Sequence, residues 1–75
     1  MKNINNRIKY CVGNRIKELR LSYGLTQEQL AEKSDLHRTY IGSCERGERN
    51  ITIQNIYKIC TALGIELKCF FNFDL

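Results

Sequence analysis

Residues 26–47 read TQEQLAEKSDLHRTYIGSCERG, the most informative stretch of the 75-residue chain. Thr26 with Gln29 matches a capping box, in which two side chains satisfy free backbone N–H groups in the first turn of a helix. Asp35 tolerates a left-handed backbone better than most residues do, so it predicts a sharp turn after that helix. Gly47 predicts the end of a second helix. The stretch therefore predicts two short helices joined by a tight turn.

The second of these helices, from about His37 to Arg46, has one apolar side and one polar side. Its inward positions are Leu36, Ile41 and Cys44. Its outward positions are His37, Arg38, Thr39, Tyr40 and Ser43. Two helices joined in this way are the parts of a DNA-binding helix-turn-helix, and the major groove of DNA is wide enough to admit the second helix.

Apolar residues at helical spacing continue on both sides of this unit. One stripe predicts a first helix over about residues 8–22, and it consists of Ile8, Val12, Ile16 and Leu19. Thr52 predicts the cap of a further helix over about residues 53–63, and Gly64 predicts its end. Residues 1–7 are rich in asparagine, and we expect them to be flexible.

The final segment, residues 66–75, predicts a fifth short helix with more apolar surface than its own core needs. Its apolar residues are Leu67, Phe70, Phe71, Phe73 and Leu75. An apolar chain end of this kind indicates contact with a partner. A domain of this length is also only marginally stable alone, which favours oligomerisation. We therefore predict an all-α domain that is homodimeric through its C-terminal helix, with an interface formed by Leu67, Phe70, Phe71 and Phe73.

The composition narrows the class of function. The net charge of +4 and the pI of about 9.0 favour an anionic partner, either nucleic acid or an anionic membrane. No stretch is long and apolar enough to span a membrane, and the first ten residues lack the apolar core of a secretory signal. We therefore expect one domain over residues 1–75, a cytoplasmic location, and association with the nucleoid when DNA is bound.

Neither a metal site nor a catalytic site is indicated. The chain has one histidine, and its four cysteines show no metal-ligand spacing: Cys11, Cys44, Cys60 and Cys69. In a cytoplasmic protein these thiols are expected to be reduced and mostly buried. The sequence has no paired carboxylates, nucleophile–base set or phosphate loop. We expect no metal, no cofactor and no enzymatic activity.

The same motifs resemble the lambda-repressor-like (Cro/repressor, or XRE) helix-turn-helix family. The pattern of that family is TQxxLA, a turn and then IxxxExG, and this sequence has TQEQLA at 26–31 and IGSCERG at 41–47. The segments NRIKELR at 14–20 and IYKICTALGI at 56–65 resemble the first and fourth helices of the family. The resemblance covers about residues 8–72, nearly the whole chain.

Within that family, the sequence is most similar to the controller proteins of restriction–modification systems. The matching segments are LHRTYI at 36–41 and ERGERNITI at 45–53. Two residues depart from the family pattern: Asp35 replaces the usual glycine of the turn, and Glu66 replaces a serine that often caps the last helix. The first departure puts a carboxylate near DNA, and the second weakens the start of the last helix.

This resemblance implies a five-helix domain that binds pseudo-palindromic operator DNA as a homodimer and regulates transcription. Pairing would place two recognition helices about 34 Å apart, which is one turn of DNA. The sigma subunit of RNA polymerase is a further candidate partner. Stand-alone phage or bacterial repressors share much of the pattern and are one alternative. An antitoxin-like protein-interaction module is another, although the polar and basic start of the second helix does not favour it.

The resemblance also assigns roles to individual residues. Arg38 is the strongest candidate for reading a base, because a guanidinium can bond O6 and N7 of guanine together. The implied base-contacting residues are His37, Arg38, Thr39, Tyr40 and Ser43. The implied phosphate-contacting residues are Gln27, Arg46, Arg49, Asn50 and Thr52, which position the protein without specifying sequence.

Some of these residues have an alternative structural interpretation. Arg20 and Glu45 match a buried ion pair of the family that joins the first helix to the third, although Arg20 could instead contact DNA. Tyr40 could pack against a neighbouring side chain and read no base. The basic residues of the first helix are interpreted as a solvated face: Lys9, Arg15 and Lys17.

Overall fold

Capping residues set the ends of most helices in the structure. The computed structural model describes residues 2–74, with side chains from residue 6 onward. This part of the chain forms five helices: α1 (Lys2–Ser22), α2 (Gln27–Ser34), α3 (Arg38–Glu45), α4 (Ile53–Leu63) and α5 (Leu67–Phe70). No strand occurs among residues 2–74, so the predicted all-α class is confirmed.

The α2 and α3 helices form the predicted helix-turn-helix. The N–H of Gln29 donates to Thr26 Oγ1 at 3.0 Å, and the N–H of Thr26 donates to Gln29 Oε1 at 2.9 Å, so the capping box is present. Asp35 closes α2 in the left-handed conformation, with φ 57° and ψ 42°. An aspartate therefore accommodates the turn at which the family usually has glycine, and α3 leaves α2 in a fixed direction.

The ends of α4 follow its capping residues as predicted. Thr52 Oγ1 accepts a hydrogen bond from the N–H of Asn55 at 3.1 Å, and Gly64 ends the helix with φ 73°. The α5 helix is only four residues long, and Glu66 gives it no side-chain cap. The replacement of a capping serine by Glu66 therefore leaves the start of α5 without a side-chain hydrogen bond.

The start of the first helix differs from the prediction. The α1 helix begins at Lys2, so the predicted start at Ile8 is too late and residues 2–7 are helical. No glycine or proline interrupts the chain before Gly13, so nothing in the local sequence stops the helix from extending toward its N-terminus. Met1 and Leu75, which belong to the predicted flexible start and the apolar end, lie outside the described residues.

All five helices contribute to one core. The largest fully buried side chains are Phe70, Ile16, Leu30, Ile41, Ile59, Cys44 and Cys60. The α1 and α3 helices approach closely at Gly13, where an added Cβ would collide with the carbonyl oxygen of Cys44. Within residues 2–74, no helix combines the length and the apolar character needed to cross a membrane.

Candidate nucleic-acid interface

The start of α3 presents unpaired polar side chains on the surface. Arg38 and Thr39 are exposed, and neither side chain has a hydrogen-bond or ion-pair partner among the described residues. A groove of about 240 Å³ runs between α2 and α3 beside them, and it is lined by Gln27, Arg38, Thr39, Gly42 and Arg46. The structure therefore brings two predicted base-contacting residues and two predicted phosphate-contacting residues to one surface.

The bottom of this groove is open because residue 42 is glycine. A Cβ at Gly42 would lie 3.2 Å from Arg46 Nη1 and 3.3 Å from Gln27 Oε1, tighter than ordinary van der Waals contact. The sequence motifs assign no role to Gly42. The available signal is a glycine inside a helix, where it costs stability and often marks a close approach of another molecule.

His37 caps α3 instead of extending freely toward a ligand. Its Nδ1 accepts a hydrogen bond from the N–H of Thr39 at 3.1 Å. The ring is exposed, so Nε2 is the atom that remains available to a base or a phosphate. His37 therefore orients the start of the helix that carries Arg38, in addition to any contact of its own.

Tyr40 is half-buried and tied to other side chains of the same protein. Its hydroxyl oxygen accepts a hydrogen bond from Asn55 Nδ2 at 3.0 Å, and the guanidinium carbon of Arg49 lies 5.2 Å from its ring centroid. This arrangement agrees with the alternative in which Tyr40 packs against its neighbours. Asn55 was not predicted as a partner of Tyr40, because a contact between α3 and α4 leaves no local sequence pattern.

The end of α3 carries an exposed ion pair between Arg46 and Glu48. Arg46 Nε donates to Glu48 Oε2 at 3.0 Å, and Nη2 donates to Oε1 at 3.2 Å. The hydrogen bonds between these two side chains lower the pKa of the Glu48 carboxyl and raise the pKa of the Arg46 guanidinium. Ser43 Oγ lies 3.5 Å from Arg46 Nη2. Two predicted DNA contacts, Ser43 and Arg46, are thus linked to each other, and the Glu48 carboxylate already holds the Arg46 guanidinium.

A second arginine–glutamate pair lies directly beneath this surface. Arg20 Nε donates to Glu45 Oε2 at 2.7 Å, and Arg20 Nη2 donates to Glu45 Oε1 at 3.0 Å. Gln27 Nε2 also donates to Glu45 Oε1, at 3.0 Å, and Arg20 Nη1 donates to the carbonyl oxygen of Leu25 at 2.8 Å. The hydrogen bond to Glu45 raises the pKa of Arg20, although burial opposes the shift. The pair joins α1 to α3, and Gln27 connects it to the groove.

The loop between α3 and α4 holds the remaining predicted phosphate contacts. Asn50 and Thr52 are both exposed, and the hydroxyl oxygen of Thr52 also caps α4. Arg49 is exposed but stacks on Tyr40. This loop therefore presents polar groups next to the start of α4, held in place by the α4 cap and the tyrosine ring.

The four residues predicted for a dimer surface have different environments. Phe70 has no exposed surface, because it fills the core of its own chain, so its assignment to the dimer surface is wrong. Leu67 and Phe73 are half-buried against the core. Among residues 66–74, Phe71 is the large apolar side chain that faces outward, with 42% of its surface exposed. Helical spacing could not separate Phe70 from Phe71 in an element of one turn.

The chemistry of the other polar groups does not indicate a metal site. Within the described residues, no group of three or more His, Cys, Asp and Glu side chains could hold a metal ion. The four cysteines are free, and burial raises the pKa of the Cys44 and Cys60 thiols. A buried thiol with a raised pKa is a packing group, not a nucleophile.

Comparison with known proteins agrees with this geometry. A profile of the helix-turn-helix family HTH_3 matches residues 16–68, which include the groove and the ion pair beneath it. The chain belongs to this family. The control protein C.BamHI of Bacillus amyloliquefaciens is 44% identical to this helix-turn-helix protein over 71 residues, which cover 93% of this chain and 88% of the relative.

Solved structures of controller proteins have the same fold. The restriction–modification controller protein C.AhdI of Aeromonas hydrophila is 45% identical and superposes with a TM-score of 0.84, covering 88% of this chain and 96% of that one. The controller protein C.Esp1396I, solved as a tetramer in complex with its natural 35-base-pair operator, is 44% identical with a TM-score of 0.78. That match covers 84% of this chain and 83% of the other.

Proposed function

We propose that this helix-turn-helix chain is the controller protein of a restriction–modification system, a transcription regulator that binds operator DNA sequence-specifically. One observation carries the proposal: α3 presents Arg38 and Thr39, exposed and without partners among the described residues, in one groove with Gln27 and Arg46. Controller proteins of the same fold support it, and one of them was solved on its operator.

In this proposal α3 enters the major groove and reads base edges from its N-terminal end. Arg38 is the principal base reader, because its guanidinium is free to bond O6 and N7 of one guanine. Thr39 lies beside it and can donate to a base or contact a thymine methyl group. Nε2 of His37 and the Ser43 hydroxyl are further candidates. The Tyr40 hydroxyl is a weaker candidate, because Asn55 already donates to it.

Phosphate contacts on either side of α3 would hold this helix in the major groove of DNA. Gln27 supplies the amide hydrogen that Glu45 does not use, and Arg46 can exchange the Glu48 carboxylate for a phosphate. Arg49, Asn50 and the start of α4 at Thr52 would contact the backbone on the other side. Such contacts set the register of the protein on DNA but carry no sequence information.

Two copies of the chain would bind one operator through a two-fold axis. We propose a homodimer, because one copy reads only a half-site and because Phe71 leaves apolar surface exposed at the end of the chain. The chain would act in the cytoplasm and at the nucleoid, and the sigma subunit of RNA polymerase is the proposed partner when it activates transcription. We assign it no catalytic activity and no cofactor.

Binding to the DNA upstream of its own gene tests this function. Fluorescence anisotropy at fixed salt compares a labelled upstream duplex with a shuffled duplex of the same length and composition. We expect a preference of about a thousandfold or more for the upstream duplex, as specific DNA-binding proteins show, and two chains per duplex. Equal affinity for both duplexes would leave only electrostatic attraction, and the protein-interaction module would replace the regulator.

A further inference from the structure

Arg15 holds the C-terminal segment, defined as residues 67–73, against α1. Its Nε donates to the carbonyl oxygen of Phe70 at 2.8 Å, and its Nη2 donates to the carbonyl oxygen of Cys69. Its Nη1 donates to Glu18 Oε1 at 2.6 Å. The Arg15 side chain is only 15% exposed, so its interpretation as part of a solvated basic face is wrong.

The C-terminal segment depends on this contact because α5 has little stability of its own. A single helical turn fixes several residues for very few hydrogen bonds, and Glu66 adds no side-chain bond at its start. At the other end, a guanidinium on the last carbonyl groups satisfies acceptors that a helix end leaves open, and it faces the negative end of the helix dipole. Arg15 is therefore a side-chain cap supplied by another helix.

The same contact lies where the chain passes from the core to the surface. Phe70 is fully buried and Phe71 is 42% exposed, with their rings edge to face at a centroid distance of 5.1 Å. The ring of Phe73 lies 6.4 Å from that of Phe71. The carbonyl oxygen that Arg15 Nε binds belongs to the peptide between Phe70 and Phe71. Fixing this peptide fixes the direction in which the exposed ring points.

We propose that Arg15 is the positioning residue of the homodimer surface, presenting Phe71 to a second copy of the chain. This inference rests on the homodimer of the proposed function and adds the residue that orients its surface. Because α1 also packs against α3 at Gly13, the contact fixes the dimer surface relative to the recognition helix. Arg15 therefore contributes to the distance between the two recognition helices on DNA.

Sedimentation equilibrium without DNA measures the dimer Kd of the wild type and two variants. Arg15→Met keeps the aliphatic stem but loses every donor, and we expect it to weaken the dimer about tenfold or more. Arg15→Lys keeps one charged donor, and we expect a Kd between those of the wild type and the methionine variant. Glu18→Gln is the matched control, because it removes the negative charge beside Arg15 without removing either carbonyl bond. We expect its Kd to stay within about twofold of the wild type.

Unfolding measured below the wild-type dimer Kd separates positioning from a general loss of stability. We expect the lysine variant to unfold as the wild-type monomer does, so it decides the question even where the methionine variant folds poorly. Wild-type dimerisation by the lysine variant would overturn the inference about Arg15 alone, and so would wild-type dimerisation by a methionine variant that folds. A wild-type chain that stays monomeric at every concentration would overturn the homodimer itself, and the inference with it.

Discussion

Glu45 and Arg46 are adjacent in sequence, but they belong to two different arginine–glutamate pairs. In the buried pair, the side chains of Arg20 and Glu45 are 9% and 3% exposed. In the exposed pair, the side chains of Arg46 and Glu48 are both 57% exposed. Both carboxylates accept two hydrogen bonds from one guanidinium, so the chemistry of the pairs is the same. The two pairs differ in solvent access: water can solvate the separated side chains of the exposed pair but not those of the buried pair.

That difference assigns a separate task to each pair. Taking one partner from a buried pair leaves a charge without water or counter-charge, so the pair is costly to break and acts as a fixed joint between α1 and α3. An exposed pair contributes little, because water solvates each partner after separation. Arg46 can therefore leave Glu48 for a phosphate oxygen at small cost, whereas Arg20 cannot leave Glu45.

Breaking the buried pair should have the largest effect. Glu45→Gln leaves the charge of Arg20 without a counter-charge inside the protein, and we expect it to lower the free energy of unfolding by about 3–5 kcal/mol. Urea denaturation at one fixed protein concentration measures this loss. A change below about 1 kcal/mol would show that water reaches Arg20 and that the pair is not a joint.

A double replacement sharpens the same test. Arg20→Met with Glu45→Leu removes both charges and keeps apolar volume, and it should recover most of the stability that Glu45→Gln loses. Gln27 would then lack its acceptor and the Leu25 carbonyl its donor, so the recovery should be incomplete by about the cost of two hydrogen bonds, roughly 2 kcal/mol. No recovery at all would mean that the site needs the charges themselves.

Removing the basic partner of the exposed pair should affect DNA binding and leave stability unchanged. We expect Arg46→Ala to weaken binding to upstream and shuffled duplexes by the same factor, and to reduce the slope of log affinity against log salt by about 1. Its free energy of unfolding should stay within about 0.5 kcal/mol of the wild type. A loss confined to the upstream duplex would instead make Arg46 a base reader.

Removing the acidic partner should have a smaller effect of the opposite sign. Glu48→Gln frees Arg46 and removes one negative charge near the DNA phosphates, so we expect affinity for the shuffled duplex to rise roughly two- to threefold. Glu32→Gln, on the exposed side of α2, is the matched control for a lost negative charge. Equal effects from the two variants would mean that Glu48 acts only through net charge.

The smallest effect is the titration of Glu48 itself. Hydrogen bonding to Arg46 lowers the pKa of this carboxyl, so the pair contributes above the ordinary glutamate pKa and is lost as the pH falls through the lowered value. NMR of the carboxyl carbon should place the midpoint below that of a free glutamate, and Arg46→Ala should raise it. A midpoint that does not move in the variant would mean that the pair does not persist in solution.

Local sequence rules predicted most helix ends, but not the early start of α1 or the contacts between helices. Caps at Thr26 and Thr52, the left-handed Asp35 and the stop at Gly64 depend on neighbours in sequence, and the structure has each as predicted. The buried ion pair spans 25 positions and was identified only through the family resemblance. The Arg15 contact spans 55 positions, has no local pattern and was missed.

The candidate site was predictable to a similar extent. The polar face of α3 follows from helical periodicity, which left Arg38 and Thr39 outside the core. Periodicity did not reveal that Tyr40 is held by Asn55, or that Gly42 opens the groove, because both depend on how two helices pack. It also failed at Phe70, where one helical turn is too short to define a face.

The specificity lost on Arg38→Ala tests most directly whether the free side chain at the start of α3 reads a base. The measurement is the ratio of affinities for the upstream and shuffled duplexes, in the wild type and in the variant at the same salt. We predict that the variant loses about 1–3 kcal/mol of discrimination while its affinity for the shuffled duplex changes far less. An equal loss on both duplexes would make Arg38 a phosphate contact and would rule it out as a base reader.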